Sequence, residues 1–113
     1  KYDEEISEFN QTDLTPEYKN DWYAPFVKGS PIQLGCRYLN EYDIKENGCV
    51  LIVAAIEYIF VEDQLLKEDG WVKLEDGKVM TINGLDGYAL PKLEKRLEYA
   101  RPKAILTTKS KPI

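Results

Sequence analysis

The chain has 113 residues, enough for one domain with one modest core, and its 43% hydrophobic content excludes disorder throughout. Twenty Asp and Glu against fifteen Lys and Arg leave a net charge of −5, which repels phosphate backbones and anionic lipid, so nucleic acid is not an expected partner. The absence of histidine removes the usual general base of serine and cysteine hydrolases and the ligands of most catalytic zinc sites, and no metal site is expected.

The longest apolar run, Cys49 to Ile56, is the size of a strand and far below the roughly 20 residues that cross a bilayer, so no membrane association is expected. The opening "KYDEEISEF" lacks the basic and then apolar pattern of a secretory signal, and the expected location is cytoplasmic. In that setting the "NQT" sequon at Asn10 carries no meaning. Lys1 stands where a methionine would begin a natural chain, which points to processing or to a piece of something longer. Cys36 and Cys49 are too few and too far apart for a CxxC pair and are expected to be buried free thiols.

In chain order, Ile6 and Phe9 stand three apart and predict a short helix ending near "TDLTPE", after which Thr15 as cap and Pro16 as first helical residue start another turn. "NDWYAPFVKGSP", residues 20–31, reads as an irregular connection anchored by its rings. From Ile32 the period becomes two: Ile32, Leu34, Cys36, Tyr38, Tyr42 and Ile44 share one side, and Gln33, Arg37, Glu41 and Asp43 share a wet side. Asn47-Gly48 is a strong hairpin signal. Treated as a two-residue turn, it sets Glu46 opposite Cys49, Tyr42 beside Val53 and Cys36 beside Ile59, and it separates the two cysteines by roughly 33 Å, beyond reach of a disulfide.

Cys49 to Val61 is apolar on both faces and rich in β-branched residues, as a strand covered on both sides should be. "EDQLLKEDGWVKLEDGK" predicts a solvated charge run with one helical turn at Asp63 to Leu66 and a short segment at Trp71 to Leu74. Val79 to Ile82 predicts a strand, Gly84 and Gly87 bracket a turn, and Pro91 opens a predicted helix with Leu93, Leu97 and Ala100 at helical spacing. The sum is a mainly β domain, a barrel or strongly bent sheet with short peripheral helices, whose two long strands need further strands or a partner chain.

The order of "SEF", "LTPEYKNDWYAPFVKGSPIQLGCR", "EDG" and "INGLDGY…P…RLEYARP" resembles the C-terminal half of flavin reductase-like, FMN-binding split-barrel proteins over residues 1–103, leaving 104–113 as a peripheral arm. The resemblance implies a homodimeric split barrel that binds FMN near the subunit interface and passes electrons between NADH or NADPH and the flavin. It also implies a preceding segment that supplies the early barrel strands and most flavin contacts, so the chain is expected to be only part of the barrel. The flavin would carry the chemistry, and no histidine is then required. "GLDG" has too few glycines for a phosphate loop.

On this reading Tyr88, Lys92, Arg96, Tyr99 and Arg101 border the flavin or nicotinamide pocket, rings stacking and cations facing phosphate or ribose. The structural alternative has the tyrosines filling space beneath the terminal segment while the cations reach water. Trp22, with Tyr23 and Phe26, forms either a wall of the ligand crevice or dimer interface, or the anchor of its own loop. Glu57, set beside Tyr38 by the predicted register, is either a buried general acid or a paired, rim-exposed carboxylate. Arg37 is expected to pair with Glu41 at the surface. The function expected is that of an FMN-binding oxidoreductase supplied here as a part. Its rivals are a cofactor-free dimerisation or interaction module and a small ligand-binding barrel unrelated to flavin.

Overall fold

The computed structural model describes residues 1–100, 102 and 110–113, and strands dominate them. In chain order these are β1 (Pro16–Glu17), β2 (Phe26–Val27), β3 (Ile32–Ile44), β4 (Cys49–Val61), β5 (Thr81–Asn83), β6 (Gly87–Ala89), β7 (Arg96–Leu97) and β8 (Ser110–Lys111). They pair antiparallel in four two-stranded sheets, β1–β2, β3–β4, β5–β6 and β7–β8. Single 3-10 turns lie at Glu8–Gln11, Asp63–Leu65 and Leu74–Gly77. The chain divides into two compact units, Lys1–Asp63 and Gln64–Ile113. Among the described residues no helix is long and apolar enough to cross a membrane.

The first unit is built on the predicted ribbon of two 13-residue strands. Its register differs from the predicted one: Ile44 pairs Cys49, Tyr42 pairs Leu51 and Cys36 pairs Ile56. A two-residue type I′ turn needs positive φ at both central residues, and only Gly48 has it, at 68°. Asn47 instead accepts the Cys49 N–H on its side-chain Oδ1 at 2.9 Å, and the Gly48 N–H reaches back to the Ile44 carbonyl at 3.0 Å, closing a four-residue loop. Both cysteines are free as expected, but Cys36 is half-buried and Cys49 exposed rather than both being buried.

Two bulges interrupt the ladder. Gly35 pairs Tyr58 while Cys36 pairs Ile56, which leaves Glu57 as an extra residue on β4; Tyr38 pairs Ala54 while Asn40 pairs Val53, which leaves Leu39 as an extra residue on β3. The two insertions cancel, so both ends of the ribbon keep one register. Arg37, one residue past the first bulge, donates its Nε–H to Glu57 Oε1 at 2.5 Å, in place of the predicted Glu41 pair. That exposed ion pair makes Glu57 a partnered rim carboxylate, not a buried acid.

At the base of the ribbon the expected wet face is covered. Gln33 is 6% exposed, its amide N–H donating to the Val27 carbonyl at 2.8 Å and its Oε1 accepting from Lys19 Nζ at 2.8 Å. Gly35 beside it is also buried, because a Cβ there would lie 3.2 Å from Tyr58 Cβ and 3.3 Å from Trp22 Cε2. The missing side chain lets the aromatic rings close onto the strand. The predicted helix start at Thr15-Pro16 is a strand instead: β1 pairs β2, and the Thr15 carbonyl accepts the Lys28 N–H at 2.9 Å, a short edge where proline's lack of an N–H costs nothing.

Beyond the base, every residue from Arg37 to Ala54 is exposed, including Tyr38, Leu39, Tyr42, Val50, Leu51 and Ile52. Among the described residues no strand pairs with either outer edge of the ribbon.

The second unit has little regular structure. Leu65 is fully buried, Leu66 and Val72 form an isolated bridge, and the loop between them is closed by the Lys67 N–H to the Trp71 carbonyl at 2.8 Å. The predicted strand near Val79–Ile82 is β5, and the predicted glycine turn is a three-residue loop to β6 with Gly84 at φ +71°. The helix predicted from Pro91 does not form. Glu75 Oε2 accepts the Leu93 N–H at 2.9 Å, residues 91–95 take no regular structure, and Arg96–Leu97 pair with Ser110–Lys111 as β7 and β8.

Candidate functional site

Of the six residues singled out from the sequence, Tyr88, Lys92, Arg96 and Tyr99 fall in the second unit, Trp22 falls in the first, and Arg101 lies outside the described residues. Arg96 is the most constrained of them. Its guanidinium carbon sits 4.1 Å from the Trp71 ring centre, Nη2 donates to Asp69 Oδ2 at 2.7 Å, and Nη1 donates to the Pro112 carbonyl at 3.1 Å. Only 12% of its side-chain surface is exposed. A planar fork with delocalised charge can stack and make two in-plane bonds at once, which an ammonium cannot. The Arg96 bond, followed by the Trp71 N–H, holds the Asp69 carboxyl below its ordinary range.

Residue periodicity alone gave no sign of this node, since Asp69 sits in a "KEDG" turn and Trp71 follows a glycine. The signal that could have found it is chemical: a lone Trp beside an acidic turn suits an arginine that needs both a face and a counter-charge.

Lys92 is exposed and lines an open groove of about 260 Å³ together with Trp71, Val72, Leu74, Thr81 and Leu93. The other charged residues of that groove are committed: Lys73 Nζ is 3.1 Å from Glu75 Oε1 and 3.4 Å from Asp76 Oδ1. Asp76 also accepts from Lys67 Nζ at 2.7 Å. Hydrogen bonding drives the titration of this cluster. Glu75 is lowered first by the Leu93 N–H and then by Lys73, Asp76 is lowered by Lys67, and Lys73 is raised by Glu75. A second groove, about 290 Å³, is lined by Lys67, Glu68, Asp69, Arg96, Pro112 and Ile113.

Tyr88, opposite Ile82 on the β5–β6 hairpin, and Tyr99 are both largely exposed, so neither fills space beneath a terminal segment. Trp22 is half-buried, its ring centre 5.2 Å from Tyr58 in an edge-on contact and 5.2 Å from Tyr23. It anchors its loop to β4. Phe26, 6% exposed, does the same against Phe60 at 5.5 Å.

Sites for drug-sized ligands begin near 300 Å³. The two grooves described above are smaller and open, so neither encloses a ligand of that size.

No protein-family sequence model and no curated protein matches the chain. Among solved structures, it is similar to a crystal structure from Shewanella frigidimarina NCIMB 400 described as a "putative flavin reductase with split barrel domain". The likeness has 35% sequence identity and a TM-score of 0.83, covering 88% of this chain and 50% of that one. The strands and short helices above therefore match the fold of a split-barrel flavin reductase, and the chain spans half the length of that solved chain.

Proposed function

We propose that the chain belongs to the flavin reductase-like split-barrel proteins, corresponds to the C-terminal half of one, and forms part of an FMN-binding oxidoreductase that exchanges electrons with a reduced nicotinamide. The observation that carries the reading is the 35% identity sustained over 88% of the chain at a TM-score of 0.83. The exposed ribbon supports the accompanying partner proposal: its edges, unpaired among the described residues, and its apolar faces from Arg37 to Ala54 await cover from the other half of the barrel and a second subunit.

In this reading Tyr88, Lys92 and Tyr99 are the side chains free to meet a ligand, while Arg96 and Trp22 hold the surfaces behind them; Arg101 is proposed as a further cation. The flavin, when bound, supplies hydride acceptance and electron transfer, and the protein binds and orients it. An exposed tyrosine offers a stacking face and a hydroxyl, and Lys92 offers three donors to a phosphate or ribose oxygen.

Titrating the chain with FMN, followed by flavin fluorescence and thermal stability, tests the reading. Binding should raise the midpoint of unfolding, and Tyr88→Ala should weaken it. No stabilisation by FMN, alone or after supply of the other half of the barrel, would overturn it.

The large exposed ribbon favours a second reading, a cofactor-free dimerisation or interaction module. There, FMN changes nothing while sedimentation shows a doubled mass.

A further inference from the structure

The groove bounded by Trp71, Leu74, Pro91 and Leu93 is apolar along its walls, and its charged residues differ sharply in what they are doing. Lys73 and Glu75 are paired with each other, and Glu75 also accepts the Leu93 N–H. Thr81 Oγ1 donates to the Ala89 carbonyl at 3.3 Å. Among the described residues Lys92 has no hydrogen-bond or ion-pair partner, so its ammonium is the one uncommitted strong donor on this groove. Arg96 is not among the lining residues although it lies over Trp71, so the guanidinium and the groove meet different parts of the indole.

An apolar slot beside a single unpaired cation complements a ligand with an apolar body and one anionic group. Indole and proline walls favour a flat ring over a branched chain, since aromatic pairs gain beyond the area they bury. The volume, about 260 Å³, restricts the body to one or two rings. We propose that this groove binds a small aromatic monocarboxylate, its ring between Trp71 and Leu93 and its carboxylate on Lys92.

The inference does not depend on flavin binding, and its test uses none. The whole chain is titrated with 2-naphthoate and, separately, with the neutral 2-naphthalenemethanol, while backbone amide and indole N–H resonances are followed by NMR. The expected result is shifts concentrated at Trp71 to Leu74, Thr81 and Leu93, with the acid bound about two- to fivefold more tightly than the alcohol, as an exposed ion pair allows. Lys92→Gln should abolish that preference and leave the alcohol's affinity in place. Equal affinity for acid and alcohol, a preference that survives Lys92→Gln, or shifts centred elsewhere would each overturn it.

Discussion

The two units solve the same problem with different materials. In Lys1–Asp63 the backbone satisfies itself through the long β3–β4 ladder, and side chains are left over: most of the ribbon's apolar surface faces outward. In Gln64–Ile113 the strands are two or three residues long, and charged side chains take up main-chain groups that a ladder would have satisfied. Glu75 accepts the Leu93 N–H, Asp69 accepts the Trp71 N–H at 3.3 Å, and Arg96 donates to the Pro112 carbonyl. Regular backbone pairing frees side chains for a partner, whereas irregular backbone consumes them. The first unit should therefore be sensitive to what covers it, and the second to core loss and to pH.

The largest effect is expected at Leu65, the one large side chain fully buried among the described residues. Leu65→Ala removes most of the apolar anchor beneath the 66–72 loop and should cost about 2–5 kcal/mol. Residue-resolved hydrogen exchange checks it: protection at Lys67 and Lys73, whose N–H groups close that loop, should fall while the Gly35–Tyr58 region holds. Equal loss in both regions would dissolve the contrast between the units.

Acid should come next, acting through the charged fastenings. Asp69 and Asp76 are lowered from an ordinary 3.8 and Glu75 from 4.5. Because each folded value lies below its unfolded one, their stabilisation is complete above those ordinary values and is lost as pH falls through the lowered ones. Lys73, raised above 10.5, keeps its contribution below that pH and loses it only in stronger alkali. Amide shifts at Trp71 and Leu93 should thus be flat near neutrality and move below about pH 4, before the β3–β4 ladder responds.

Sequence periodicity disclosed the ribbon because strand alternation and β-branched content are local properties of Ile32–Val61. It could not disclose the register, since the choice between a two-residue and a four-residue turn depended on whether Asn47 took positive φ or used its side chain on Cys49. The aromatic base was half legible: the rings were named as anchors, but the burial of Gln33 follows from Lys19 and Val27, which reach it from other segments. Of the candidate site, the sequence named Tyr88, Lys92 and Tyr99 without giving their exposure, while the capture of Arg96 by Asp69 across 27 positions left no periodic trace. The false helix after Pro91 has a related cause. Leu93, Leu97 and Ala100 are spaced for a helix, yet no face for them is buried, and Leu97 is taken into β7.

The smallest predicted effect sharpens the comparison from the first unit's side. Asn20 and Asp21 have φ of 52° and 54°, and the Trp22 N–H donates to the Lys19 carbonyl at 2.9 Å, as a type I′ turn requires. That turn delivers Trp22 to Tyr58 and Lys19 to Gln33. Asn-Gly is the favoured pair for this geometry, and Asp21→Gly relieves a left-handed penalty at the expense of some added freedom in the unfolded chain. The net gain should be about 0.5 kcal/mol, read as a higher urea midpoint. If backbone geometry governs the first unit, this change should stabilise it with the Trp22–Tyr58 contact intact; a loss of stability would mean that the Asp21 side chain, like those of the second unit, is itself a fastening.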